Sequence, residues 1–136
     1  MKIKTSELTS AALDWAVAQA LGVTPAILYG SDDKTPHIFD ADLLEMEVDS
    51  GADFDPTTNW GLAGPIIEHE KLCVGYQHQL DPAYVPLLDP ATICWARTTA
   101  GGYLKYGPTP LIATMRCFVT KALGDEVEVP EELCTS

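Results

Sequence analysis

The stretch from Gly107 to Pro130 constrains the fold more than any other, because it specifies a helix at both ends. Thr109 reads as an N-cap, and Pro110 follows at the first helical position, where its missing N–H costs nothing. Leu111, Met115, Phe118, Val119 and Ala122 recur at helical spacing and form one apolar stripe. Lys121 complements the C-terminal end of the dipole, and Gly124 stops the helix. A helix is therefore expected over 110–123. Beyond it, Asp125 to Pro130 alternate as an edge strand whose acids and proline discourage pairing with another chain.

A second helix is expected over 10–21. Thr9 offers a capping hydroxyl, and Leu13, Ala16, Val17, Ala20 and Leu21 share one face. Gly22 ends it. Trp15 lies beside the stripe, placed to pack at its edge or to face a partner. A short strand is expected at 2–5, residues 23–29 read as a strand or an irregular segment interrupted at Pro25, and 37–39 and 43–48 are short apolar runs. A further strand is expected within 70–79, with Leu72, Val74 and Tyr76 on one side, and another at 91–96. Residues 30–33, 49–53 and Gly101-Gly102 read as turns. Pro82, Pro86 and Pro90 mark a loop, Pro56 sets the backbone before Trp60, and Gly64-Pro65 punctuates the chain. The fold class is α+β: two main helices packed on a small, mostly antiparallel sheet, in a single domain over 1–136.

Twenty acids against eight bases give a net charge of −12. Such a surface repels nucleic acid and anionic membranes, so neither is an expected partner. The acids serve solubility or engage a basic partner protein; their small, separated groups argue against a continuous mimic of DNA. Cys73, Cys94, Cys117 and Cys134 form no Cys-x-x-Cys pair, and no basic and apolar leader opens the chain. Reduced cysteines packed as small hydrophobes, in a cytoplasmic protein, are the expectation.

Three blocks of the sequence are distinctive together. The first runs from Met1 to Thr9 and continues through Ala12-Leu13-Asp14-Trp15-Ala16-Val17. The second is Asp55-Pro56-Thr57-Thr58-Asn59-Trp60 with Gly64-Pro65-Ile66-Ile67-Glu68. The third is Gly107 to Cys117, ending Leu123-Gly124-Asp125-Glu126-Val127-Glu128-Val129-Pro130. In this order the blocks resemble the phage NinX-like family. The resemblance implies a small accessory protein of a tailed phage, acting in the cytoplasm of its bacterial host. It implies no particular chemistry, because the family is one of unknown function.

Arg116 lies beside the apolar stripe, next to Ile112 and Val119, and is one of two arginines. It either covers apolar surface and meets a nearby carboxylate, or reaches a ligand anion together with the free N–H groups that follow Thr109. The two features stand about one helical turn apart, so only an extended ligand touches both. Trp60, Trp95, Tyr103 and Tyr106 are flanked by glycine, proline or threonine and read as loop aromatics able to stack a flat group. Trp60, Trp95, Tyr106, Thr109 and Arg116 are thus the candidate ligand-binding residues. Glu68-His69-Glu70 offers an acid–imidazole–acid run, but successive side chains point apart. His69, Cys73 and His78 fit no standard zinc spacing, and no hydrolase, nucleotide-loop or dinucleotide motif is present. Neither a metal nor a cofactor is expected, nor a catalytic residue.

The leading expectation is a non-enzymatic binder that sequesters a small anionic ligand, such as a linear or cyclic nucleotide signalling host defence. Its pocket can form between subunits of a homo-oligomer. The alternatives are an acidic factor that blocks a basic host protein, and a nucleotide hydrolase using Glu68 and His69.

Overall fold

The computed structural model describes residues 1–29, 36–42, 53–76, 93–99 and 102–134. Among the described residues, strands β1 (Lys2–Lys4), β2 (Pro25–Tyr29), β3 (Pro36–Asp40), β4 (Leu72–Tyr76), β5 (Cys94–Thr98), β6 (Leu104–Gly107) and β7 (Glu126–Glu128) are combined with three α-helices, α1 (Ser10–Leu21), α2 (Trp60–Glu70) and α3 (Pro110–Leu123). The chain is α+β, with both expected helices in place. The strands form three small antiparallel ladders: β1 with β7, β2 with β3, and β4-β5-β6. The segments expected at 30–33 and 43–52, the loop prolines Pro82, Pro86 and Pro90, and His78 lie outside the described residues.

The caps explain the two expected helices. The Thr109 hydroxyl accepts the Ile112 N–H at 3.1 Å, and Pro110 opens α3. Gly124, at φ 99°, ends it in a conformation that side chains disfavour. Gly22, at φ 79°, ends α1 in the same way. The start of α1 departs from expectation: Thr9 holds the extended N-cap backbone, but its side chain makes no capping bond.

Helix α2 was not anticipated, because Gly61, Gly64 and Pro65 read as breakers. The Asn59 side-chain oxygen, Oδ1, caps it by accepting the Gly61 N–H at 2.8 Å. Pro65 lacks an N–H, so one helical bond is missing inside α2. Burial of Ala63 and Ile66 on the core side offsets that loss. Lys71, at φ 54°, closes the helix in a left-handed conformation.

Helix α3 sits at the centre of the molecule. Rather than one buried stripe, nearly every residue from Leu111 to Thr120 is buried, because α1 packs on one side and the β4-β5-β6 sheet on another. Ala122, expected in the stripe, is exposed, as are its neighbours from Lys121 to Asp125. Leu8, Leu13, Val17, Met115, Phe118 and Val119 are at the heart of the core. Thr114 and Thr120 satisfy their buried hydroxyls by donating to the carbonyls one turn back, Pro110 at 2.6 Å and Arg116 at 2.7 Å. Gly107 lets β6 run against the first turn of α3; a Cβ there would stand 2.8 Å from the Ala113 nitrogen.

Arg116 is 7% exposed. Its Nε donates to the Leu8 carbonyl at 2.9 Å and its Nη1 to the Tyr106 carbonyl at 2.8 Å. The side chain therefore ties the approach to α1 and the end of β6 to the central helix. Burial lowers the guanidinium pKa below its ordinary value. Replacing Arg116 with Met keeps much of the volume but removes both donors from buried carbonyls. The expected loss is about 2–4 kcal/mol, read from urea unfolding at neutral pH. Stability within about 0.5 kcal/mol of wild type would show that these bonds hold nothing together.

Candidate functional site

Strand alternation gives the β4-β5-β6 sheet two unlike faces. Cys94, Ala96 and Thr98 are buried on the side that packs on α3. Trp95 and Arg97 alternate with them and face the other way. Register places Gly75, Trp95 and Tyr106 in one row across the sheet, and Cys73, Arg97 and Leu104 in the next. Tyr106 is 40% exposed, Leu104 is 48% exposed, and Arg97 is exposed as well.

The Trp95 indole lies flat across Gly75. A Cβ at position 75 would come within 2.5 Å of its ring, so any side chain there displaces the indole. The Arg97 guanidinium carbon stands 5.9 Å from the centre of the Trp95 ring, in cation–π range. Arg97 makes no ion pair among the described residues. The face thus combines two aromatic rings, an aliphatic side chain and an open cation.

The structure distributes the five expected residues unequally. Trp95 and Tyr106 are cross-strand neighbours, on strands rather than loops. Trp60 opens α2 and is 58% exposed, and no ring contact among the described residues joins it to Trp95. Thr109 spends its hydroxyl on the Ile112 N–H, one of the donors imagined for an anion. Arg116 is committed to two backbone carbonyls rather than to a carboxylate. The open arginine is Arg97, which sequence reasoning passed over. Its signal was its position two residues after Trp95 in a strand, which puts both on one face.

Within the acid–imidazole–acid run, His69 and Glu70 approach each other. His69 Nδ1 stands 3.6 Å from Glu70, while the Glu70 carboxylate is held by Lys121 at 2.8 Å. That hydrogen bond from Lys121 lowers the Glu70 pKa. Among the described residues no group of three or more His, Cys, Asp and Glu is arranged to hold a metal ion, and no helix is long and apolar enough to cross a membrane. All four cysteines are free thiols. Burial raises the pKa of Cys94, and that of Cys117 to about 11, so both sit as neutral core groups.

Sequence reasoning also missed an acidic cleft of about 340 Å³ between α1 and β3, bordered by Ser10, Asp14, Phe39, Asp53, Asp55 and Thr57. Asp14 is 6% exposed and accepts the Thr57 N–H at 3.0 Å. Burial pushes its pKa up to about 7, against the lowering effect of the bonds from Thr57 and with a further push from the Asp55 charge. Ser10, at φ 50°, holds a left-handed backbone on the wall of the same cleft. The available signal was that Asp14 is the one charged residue in a twelve-residue helix, directly after the stripe residue Leu13.

The Asp14 shift makes folding pH-dependent. The folded state holds this proton more tightly than an unfolded chain, whose carboxyl ionises near its ordinary value of 3.8. Its contribution is therefore complete below about pH 4 and is lost as pH rises through about 7. Asp14→Asn keeps an acceptor for Thr57 and removes the charge. Relative to wild type it is expected to gain on the order of 1–3 kcal/mol between pH 5 and pH 8 in urea unfolding. An unchanged difference between the two proteins across that range would contradict the assignment.

No curated protein matches the chain in sequence. The family model described as bacteriophage P22 NinX matches residues 4–122, most of the chain, including Asp14 and the whole aromatic sheet face. The chain belongs to the phage NinX family.

Proposed function

We propose that this phage protein is a non-enzymatic binder that sequesters a small, flat, anionic ligand of the nucleotide class on the outer face of β4-β5-β6. Membership of a phage family supports a nucleotide-derived signal of host defence as the ligand. The observation that carries the reading is the exposed guanidinium of Arg97 stacked 5.9 Å from the Trp95 ring, with Tyr106 in the adjacent strand. Base-on-aromatic stacking contributes about 1–3 kcal/mol per base, and the guanidinium fork matches phosphate oxygens. Together they serve a compact nucleotide, whereas the net charge of −12 disfavours a long polyanion. The Glu70 carboxylate is already engaged by Lys121, which favours binding over turnover.

The acidic-factor reading has less support. Across the β1–β7 ladder Glu126 lies opposite Lys4 and Glu128 opposite Lys2, and opposite charges across a strand pair attract. Two of the acids that would engage a basic partner, Glu126 and Glu128, therefore already face lysines.

Calorimetry against a panel of linear and cyclic nucleotides tests the proposal. Saturable binding is expected for at least one of them. Trp95→Ala and Arg97→Gln should each weaken it about tenfold or more, the scale of one lost stacking or charge-assisted contact. Absence of saturable heat from folded protein at high micromolar ligand would sink the reading.

A further inference from the structure

A second recess, of about 450 Å³, opens where the end of α2 meets β5 and α3. Its wall includes Glu70, Lys71, Thr98, Thr99, Tyr103 and Lys121, with His69 at the rim. Three features set it apart from the rest of this acidic surface. It gathers two ammonium groups against one carboxylate, in a chain of net charge −12. That carboxylate, Glu70, is already neutralised by Lys121 at 2.8 Å, which leaves Lys71 without an ion pair among the described residues. Lys71 is fixed at the recess by its left-handed backbone at the end of α2, at φ 54°.

The third feature is Thr98. It is 6% exposed, and its hydroxyl has no hydrogen-bond partner among the described residues. Leaving such a group unpaired in the interior is unfavourable, so buried hydroxyls are ordinarily satisfied. Its backbone N–H is already bonded to the Tyr103 carbonyl at 3.1 Å, so the hydroxyl alone is unmatched. Thr99 and Tyr103 bring two further hydroxyls to the same wall. The balance of the wall is an excess of hydrogen-bond donors and of positive charge.

We propose that this recess binds a small molecule through an anionic oxygen group, a phosphate or a carboxylate. The ammonium groups of Lys71 and Lys121 supply the charge, and the Thr98 hydroxyl gains in the ligand the acceptor that the protein does not give it. Thr98 faces the α3 side of β5, whereas Trp95 and Arg97 face outward, so this site is independent of the one on the outer face.

The experiment is a titration of the intact protein with inorganic pyrophosphate and, separately, with citrate, followed by amide chemical shifts. Saturable shifts centred on His69, Glu70, Lys71, Thr98, Thr99, Tyr103 and Lys121 are expected, weakening as salt is raised. A response to pyrophosphate alone identifies a phosphate site, and a response to citrate alone a carboxylate site. Lys121→Gln and Lys71→Asn should each weaken binding about fivefold or more; asparagine tolerates the left-handed backbone. Thr98→Val replaces an unpaired hydroxyl with a methyl group. It should weaken binding while leaving the melting temperature unchanged or higher, a combination that a purely structural threonine does not produce. Trp95→Ala and Arg97→Gln should leave this titration unaltered. No saturable shift with either probe in folded protein, or full affinity in both Thr98→Val and Lys71→Asn, overturns the proposal. Lys71→Asn, on the exposed end of α2, keeps the test decisive should Thr98→Val fail to fold.

Discussion

The fold depends on one side chain that brings a charge into the core and gives it two neutral carbonyls. Arg116 projects from the middle of α3, and its two donors hold backbone from opposite ends of the sequence, Leu8 and Tyr106. A guanidinium suits this task because it is planar, stays charged and presents its donors in a rigid fork. One rigid group thereby links the N-terminal segment to β6 through the central helix. The same commitment removes Arg116 from ligand chemistry. A residue that a helical wheel places beside an apolar stripe can be exposed at the tip or buried to the end, and only the tertiary partners decide.

Local chemistry made much of the helical framework readable. Pro110, Thr109 and Gly124 bound α3 as anticipated, and Gly22 bounds α1, because these residues act on backbone within one turn. Helix α2 was hidden by the same rules. Gly61, Gly64 and Pro65 lower helix propensity, and what overrides them is a side-chain cap from Asn59 plus burial of Ala63 and Ile66, which propensity does not see. The division into three ladders was equally out of reach. Pairing of β1 with β7 joins residues from the two ends of the sequence, and no local pattern encodes a partner that distant.

The site was legible in its ingredients more than in its geometry. Trp95 and Tyr106 stand out by residue type, yet their meaning comes from register, which sets them side by side and leaves Gly75 beneath the indole. Arg97 acquires its role from strand parity. Asp14 is the opposite case: a lone carboxylate amid apolar neighbours in α1 looks like a surface residue until its burial against Thr57 is known. The molecule thus carries three chemically distinct surfaces: an aromatic face with a cation, a cleft of carboxylates around a group that titrates near neutrality, and a donor-rich recess.

The β1–β7 ladder has a consequence for how the protein is made. Ile3 faces Val127, the Thr5 N–H bonds the Asp125 carbonyl at 2.7 Å, and the Val129 N–H bonds the Met1 carbonyl at 3.0 Å. Contacts this remote along the chain form only after their closure entropy has been met, and such topologies fold slowly. On the ribosome the first strand waits, unpaired, until almost all of the described chain has been synthesised. Its two lysines, Lys2 and Lys4, keep that waiting edge charged. During translation they guard the nascent chain against premature strand pairing, and in the finished protein the same two residues lie across from Glu128 and Glu126.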